Sequence, residues 1–271
     1  MLKSFGTIKT SIVNLTVLSE MRAMDGFESE HGLSFLIEVD QLKVLFDTGA
    51  SDLYKRNAAK LGIDLGAVDR IVLSHGHWDH GNGLEYMEGK PLICHPGCFV
   101  KRYRKSGDTY LGLSLSKEEL GDRFDLETFR NPIRLSDHLW FLGEIPRKND
   151  FEAQATKYML EDGSDDYIMD DSGLVVITNN GLVLISGCAH SGICNMIEHA
   201  RRVTGIFKVA AVLGGFHLRS TNKQTRKTIA YLEGLEVEQV IPSHCTLDPA
   251  LGLFRKTFGS RELLTGACLV F

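Results

Sequence analysis

No apolar run in this sequence approaches the roughly 18 residues that a bilayer span requires. The opening stretch, Met1-Leu2-Lys3-Ser4-Phe5-Gly6, lacks the long apolar core of a secretory leader. The two absences together predict a cytoplasmic protein with no membrane partner. An excess of basic charge is also missing: the formal net charge is −5, which gives no electrostatic reason to expect nucleic acid as a partner. The six cysteines, Cys94, Cys98, Cys188, Cys194, Cys245 and Cys268, lack the spacing of a disulfide scaffold, so free thiols are expected. Cys94 and Cys98 would supply half of an iron–sulfur site, but nothing nearby completes one.

What is present reads as an ordinary globular chain. Apolar residues make up 43% and charged residues 24% of 271 positions, enough for one large α/β domain or two small ones. Val13, Leu15 and Val17 alternate with polar residues, the period of a half-buried strand. The runs 33–39 and 42–46 flank Asp40-Gln41 as a hairpin, which passes through Asp47-Thr48-Gly49-Ala50 into a helix capped at Ser51 and stopped at Gly62. A second hairpin, 174–178 and 182–185 around Asn179-Asn180-Gly181, leads through another polar turn into a helix over 193–204. Strands over 207–213 and 237–241 and helices near 222–233 and 248–258 follow. The matching order in the two halves predicts two sheets packed face to face with helices outside, an αββα sandwich forming one domain over 1–271. Between them, 97–170 is weakly patterned, which predicts a lid or insert shaping a binding pocket. Its cluster Lys101, Arg102, Arg104 and Lys105 reads as a solvated face, with an anion contact as the alternative.

The chemistry concentrates in Ser74-His75-Gly76-His77-Trp78-Asp79-His80-Gly81, directly after the buried-strand run Ile71-Val72-Leu73. Four metal-capable side chains fall within six positions, held by the end of a strand. Gly76 lets the imidazoles of His75 and His77 point the same way, while Asp79 and His80 turn to a neighbouring position. Neutral imidazole and carboxylate are ligands that zinc and similar cations accept at about 2.0–2.2 Å. Three later turns that follow strands each carry a histidine: His190, His217 and His244.

The His-x-His-x-Asp-His motif after an apolar strand resembles the signature of the metallo-β-lactamase superfamily. That resemblance extends along essentially the whole chain and implies the same αββα sandwich, two mixed β-sheets with outer helices. It implies that His190 completes one site with His75 and His77, and that His244 completes a second with Asp79 and His80. It further implies that Asp47 orients the metal loop, a carboxylate holding a ligand histidine by its other ring nitrogen. Family members usually carry a bridging Asp between the third and last histidines. No Asp occurs from Cys194 to Cys245, and the expected turn reads Gly214-Gly215-Phe216-His217. Gly-Cys-Ala-His-Ser-Gly, Gly-Gly-Phe-His-Leu, Pro-Ser-His-Cys-Thr and the run 30–34 resemble a narrower branch, the proteins related to 7,8-dihydropterin-6-yl-methyl-4-(β-D-ribofuranosyl)aminobenzene 5′-phosphate synthase.

These readings predict a hydrolase that binds one or two divalent metal ions, zinc foremost, with manganese or iron as alternatives. Metal-bound hydroxide would attack a small, phosphate-containing substrate. Asp79 would be a ligand that also orients the nucleophile. His31 or His217 would contact substrate or donate a proton. A transferase joining a dihydropterin diphosphate to a ribofuranosylaminobenzene phosphate is the first alternative, and a non-enzymatic metal or electron-transfer protein the second.

Overall fold

The computed structural model describes residues 12–107 and 109–271. The opening stretch that bears on a secretory leader lies outside the described residues. Strands β1 (Asn14–Ser19), β2 (Ser34–Val39) and β3 (Leu42–Phe46) run antiparallel in succession, and helix α1 (Leu53–Lys60) follows. Asp40 and Gln41 both take positive φ, 53° and 65°, the two-residue turn whose twist matches that of its strands. β4 (Arg70–Val72) and β5 (Pro91–Cys94) then add in parallel, with the short helix α2 (Trp78–Gly81) between them.

The stretch after β5 does not form a single unit. β6 (Arg102–Arg104) starts a small sheet, and α3 (Lys117–Arg123) is closed by a capping box of Ser116 and Glu119. β7 (Asp125–Thr128) extends the first sheet beside β5, whereas β8 (Ile133–Arg134) and β9 (Leu139–Phe141) belong to the second. β10 (Tyr158–Leu160) and β11 (Asp165–Asp166) complete the small sheet in the order β11-β10-β6. The hairpin β12 (Gly173–Thr178) and β13 (Gly181–Ser186) is followed by α4 (Ile193–Thr204), β14 (Val209–Gly215), α5 (Lys223–Gly234), β15 (Gln239–Ser243), α6 (Asp248–Phe258) and β16 (Cys268–Val270). β14 begins two residues later than its apolar run alone predicts, because Phe207 is exposed and the ladder with β13 pairs 209 onward, and β15 begins at Gln239, where its pairing with β14 starts.

The architecture is an αββα sandwich of two mixed sheets. One runs β16-β1-β2-β3-β4-β5-β7 and the other β15-β14-β13-β12-β9-β8. Leu15, Phe35, Phe46 and Val72 from the first sheet share one core with Phe141, Val176, Ile185 and Leu213 from the second. Burying each such side chain contributes about 1.5–3 kcal/mol. The outer faces are covered separately, the first by α1 and α3, the second by α4, α5 and α6. This double cover explains why β1 is not half-buried as its alternation predicts: Thr16 and Leu18 are buried too, beneath the α1 side.

Two local expectations are corrected. Helix α1 has Asp52, not Ser51, at its cap position. The Ser51 hydroxyl accepts from Leu53 N–H and donates to Glu30. The basic cluster is not uniformly solvated: Arg102 is fully buried, its Nη2 2.7 Å from Asp170 Oδ1 and its Nε 3.4 Å from Asp166 Oδ2. Two carboxylates from the acidic stretch that follows compensate the buried guanidinium, so sequence proximity to lysines was misleading there. All six cysteines are free. No helix among the described residues is long and apolar enough to cross a membrane.

Candidate metal centre

The ends of β3, β4, β13, β14 and β15 bring Asp47, the His75–His80 loop, His190, His217 and His244 to one edge of the sandwich. The metal loop is held from beneath by Asp47. Its Oδ1 accepts from Ser74 N–H and its Oδ2 from the Ser74 hydroxyl, each at 2.7 Å. The same Oδ2 lies 2.7 Å from His80 Nδ1, and the Ser74 hydroxyl lies 2.9 Å from His75 Nδ1. Both imidazoles therefore have Nδ1 engaged by the scaffold and turn Nε2 outward. Thr48 N–H donates to the His80 carbonyl at 2.7 Å, and Gly76 N–H donates to Asp170 Oδ2 at 2.7 Å. A Cβ on Gly76 would stand 1.9 Å from the Cys98 carbonyl oxygen, so this close approach requires glycine.

Above that base the donors gather in two sets. His75, His77 and His190 present ring nitrogens within 4.8 Å of one another, and so do the donor atoms of Asp79, His80 and His244. His75 Nε2 and His77 Nδ1 are 2.8 Å apart. Asp79 Oδ2 lies 3.4 Å from His244 Nε2, 3.8 Å from His80 Nε2 and 3.2 Å from His31 Nε2. A third set, His75, His80 and Cys188, takes one histidine from each of the other two.

Several of these buried atoms have no hydrogen-bond partner among the described residues: His77 Nε2, His190 Nε2 and His244 Nδ1, while His244 Nε2 has only its 3.4 Å contact with Asp79. Leaving a buried polar atom unpaired costs about 1–3 kcal/mol, so such atoms collected at one point call for a ligand. Imidazoles with a carboxylate are a donor set for zinc-like divalent cations, and the residues fit that group.

The protonation states agree. Burial, reinforced by neighbouring histidines, holds His75 and His190 well below the usual imidazole range. Burial likewise lowers His77 and His217 to about 3, with Arg102 and Arg219 respectively adding to it. All four are neutral at pH 7, with lone pairs available. His80 behaves oppositely: burial pulls it down, but the charges of Asp79 and Asp47 win and push it up to about 9. Burial would raise Asp79, and His80, His244 and His31 instead hold it well below its usual range.

The two histidines outside these sets differ in setting. His31 has a half-exposed side chain stacked on Trp78, with ring centroids 5.6 Å apart. His217 lies on the turn after β14 with φ of 51°, its ring 4.3 Å from that of His190. Its Nε2 is 3.1 Å from the Tyr158 hydroxyl and 3.4 Å from Arg219 Nη2. Sequence reasoning missed Tyr158, Arg104, Arg219 and Cys188, which line a cavity of about 190 Å³ over the donors. Two carried a signal: Cys188 stands two residues before His190, the same alternation as His75 and His77, and Arg104 belongs to the basic cluster. Tyr158 and Arg104 come from the small sheet, whose strands are too short to show a period.

Residues 30–139 match the family model described as the metallo-beta-lactamase superfamily. The chain belongs to that superfamily. Within it, the chain is 37% identical over 255 residues to 7,8-dihydropterin-6-methyl-4-(beta-D-ribofuranosyl)-aminobenzene-5'-phosphate synthase of Methanocaldococcus jannaschii, covering 86% of each protein. An uncharacterised protein of the same organism is 32% identical over 242 residues, with 86% of this chain and 90% of that one covered. A crystal structure described as a metal-dependent hydrolase of the beta-lactamase superfamily superposes with a TM-score of 0.83 at 31% identity, covering 95% of this chain and 98% of that one.

Proposed function

We propose that the protein is a metal-dependent hydrolase of small, phosphate-bearing substrates. His75, His77 and His190 would hold one divalent cation, and Asp79, His80 and His244 a second. The observation carrying this reading is the convergence of two donor sets, with orphaned imidazole nitrogens, on one cavity. A divalent cation held by these residues would supply Lewis acidity and make water more acidic there.

The chain's own residues do the rest. Arg104 and Arg219, lining the mouth of the cavity, suit an anionic phosphate. Trp78, already stacked on His31, offers a flat apolar wall to a ring. Asp79 Oδ2 stands among three imidazoles, where it orients the attacking water and receives its hydrogen bond. His217, paired to the Tyr158 hydroxyl, would contact the substrate beside its leaving oxygen. Residues of the small sheet, Arg104 and Tyr158 among them, would act as the lid over the site. Turnover of a panel of phosphoesters, phosphodiesters and diphosphates by metal-loaded protein tests this reading. Failure across the panel contradicts it.

One observation favours a second reading, a transferase: the 37% identity to a named synthase across 86% of the chain. Arginines that grip a phosphate would then grip a diphosphate leaving group, and a carbon nucleophile would replace water. Incubation with a dihydropterin diphosphate and a ribofuranosylaminobenzene phosphate distinguishes the two. Pyrophosphate released only when both are present supports transfer, whereas release without the second substrate supports hydrolysis.

A further inference from the structure

The turn that follows β14, Gly214-Gly215-Phe216-His217, offers no carboxylate to the centre. Two dications held about 3.5–4 Å apart repel strongly, and anionic ligands between them offset that repulsion. Asp79 is the one carboxylate in the two donor sets. A thiol, whose proton a bound cation can displace, shares the same space. Cys188 is buried at the end of the turn after β13, and its Sγ lies 3.3 Å from His80 Nε2, the ring nitrogen that the Asp47 contact leaves free. Its donor atom groups with His75 from one set and His80 from the other, so it stands between the two.

Gly215 lets β14 pass close to the backbone that carries Cys188. A Cβ at Gly215 would lie 2.3 Å from the Gly187 carbonyl oxygen, 2.7 Å from Cys245 Sγ and 3.0 Å from Cys188 Cα. The turn that carries Cys188 therefore packs directly on β14, and a side chain at 215 would displace it. The separation also suits shared coordination. A nitrogen at about 2.0–2.1 Å and a sulfur at about 2.3 Å from one zinc-like ion lie about 3.3–3.6 Å apart at near-tetrahedral angles. Cys245 does not share this placement: its Sγ accepts from His217 N–H at 3.2 Å and faces the Cys188 carbonyl oxygen at 3.5 Å.

We propose that Cys188 is an anionic ligand of the metal centre, its thiolate standing between the two donor sets in the role a bridging carboxylate would fill. The inference rests on the reading of those sets as metal sites. On binding, the thiol gives its proton to solvent and the sulfur lone pair goes to the cation.

Cobalt(II) titration of the metal-free protein tests it, followed by absorption spectroscopy. Visible ligand-field bands report occupied sites, and a near-ultraviolet sulfur-to-cobalt charge-transfer band reports a bound thiolate. The expected result is both kinds of band in the wild-type protein. Cys188→Ser should lose the near-ultraviolet band and bind its second cobalt about 10–100-fold more weakly. Cys188→Asp should restore that affinity without the band, and Cys245→Ser should keep the band. Ligand-field bands without a charge-transfer band in the wild-type protein would overturn the proposal while leaving the metal sites standing. A charge-transfer band surviving in Cys188→Ser but lost in Cys245→Ser would move the role to Cys245 and overturn it too. No cobalt spectrum of either kind in the wild-type protein would remove the metal-site reading itself, and the proposal with it.

Discussion

Asp47 Oδ2 lies 2.7 Å from His80 Nδ1, with both side chains fully buried. The same carboxylate holds Ser74, which in turn holds His75, so one residue sets the ring orientation of a histidine in each donor set. Asp47→Asn keeps an acceptor for Ser74 N–H but presents an amide donor to His80 Nδ1–H and to the Ser74 hydroxyl. The expected outcome is a loss of about 10–100-fold in metal affinity, read by competition with a chromophoric chelator. Unchanged affinity would show that the loop holds its shape without this carboxylate.

Gly76→Ala probes the loop from above. Its Cβ would enter the Cys98 carbonyl, a backbone atom that no rotamer change can move. Overpacking of this kind costs about 1–3 kcal/mol, and relief here requires the His75–His77 backbone to shift. The variant should unfold at a lower denaturant midpoint and release metal more readily. A folded variant with native midpoint and native metal content would contradict the packing account.

Proton competition should separate the two sites. Burial keeps His75, His77 and His190 neutral at pH 7, so a cation binding them displaces no proton. His80, raised to about 9 by Asp79 and Asp47 against the pull of burial, carries a proton that the second cation must expel. Second-site affinity should therefore rise at least about tenfold per pH unit up to about pH 9, the His80 proton and the Cys188 thiol proton both being expelled at that step. First-site affinity should change little between pH 7 and 9. Calorimetry in buffers of different ionisation enthalpy measures the protons released. Equal release at both steps would refute the assignment of His80.

Asp171 gives a stability prediction. It is buried, and its Oδ2 accepts from Ser191 N–H at 2.8 Å and from the Ser191 hydroxyl at 2.5 Å, while its Oδ1 has no hydrogen-bond partner among the described residues. Burial outweighs those bonds and raises it from 3.8 to about 6. Between these values the unfolded chain binds fewer protons, so stability falls as pH rises through that window, by about 3 kcal/mol at most. Asp171→Asn should remove this fall, leaving the metal-free variant more stable than the wild type at pH 7.5 and close to it near pH 4. Urea midpoints at the two pH values check it. A variant less stable at pH 7.5 would mean that the carboxylate is stabilising there.

The sandwich was legible because its hairpins carry their turn chemistry locally. Asp40-Gln41 and Asn179-Asn180-Gly181 fix two antiparallel pairs, and the 3.6-residue period over 193–204 marks α4 between its bounds. The donors were legible for a related reason: His75, His77, Asp79 and His80 are adjacent in sequence, and the other histidines each end a strand. The small sheet was not legible. Its three strands are two or three residues long and exist through pairing between 102–104 and 158–160, a separation local patterns cannot carry. Arg102 shows the same limit, since its burial depends on Asp166 and Asp170, more than sixty residues away.

The most direct test of the metal centre is a zinc competition titration of the wild-type protein beside His77→Ala and His244→Ala. The account predicts two unequal sites in the wild type, the His75, His77 and His190 site being the tighter because its ligands are already neutral, loss of that site in His77→Ala, and loss of only the weaker one in His244→Ala, with circular dichroism unchanged throughout. A His77→Ala protein that still binds its first zinc as tightly as the wild type would contradict it.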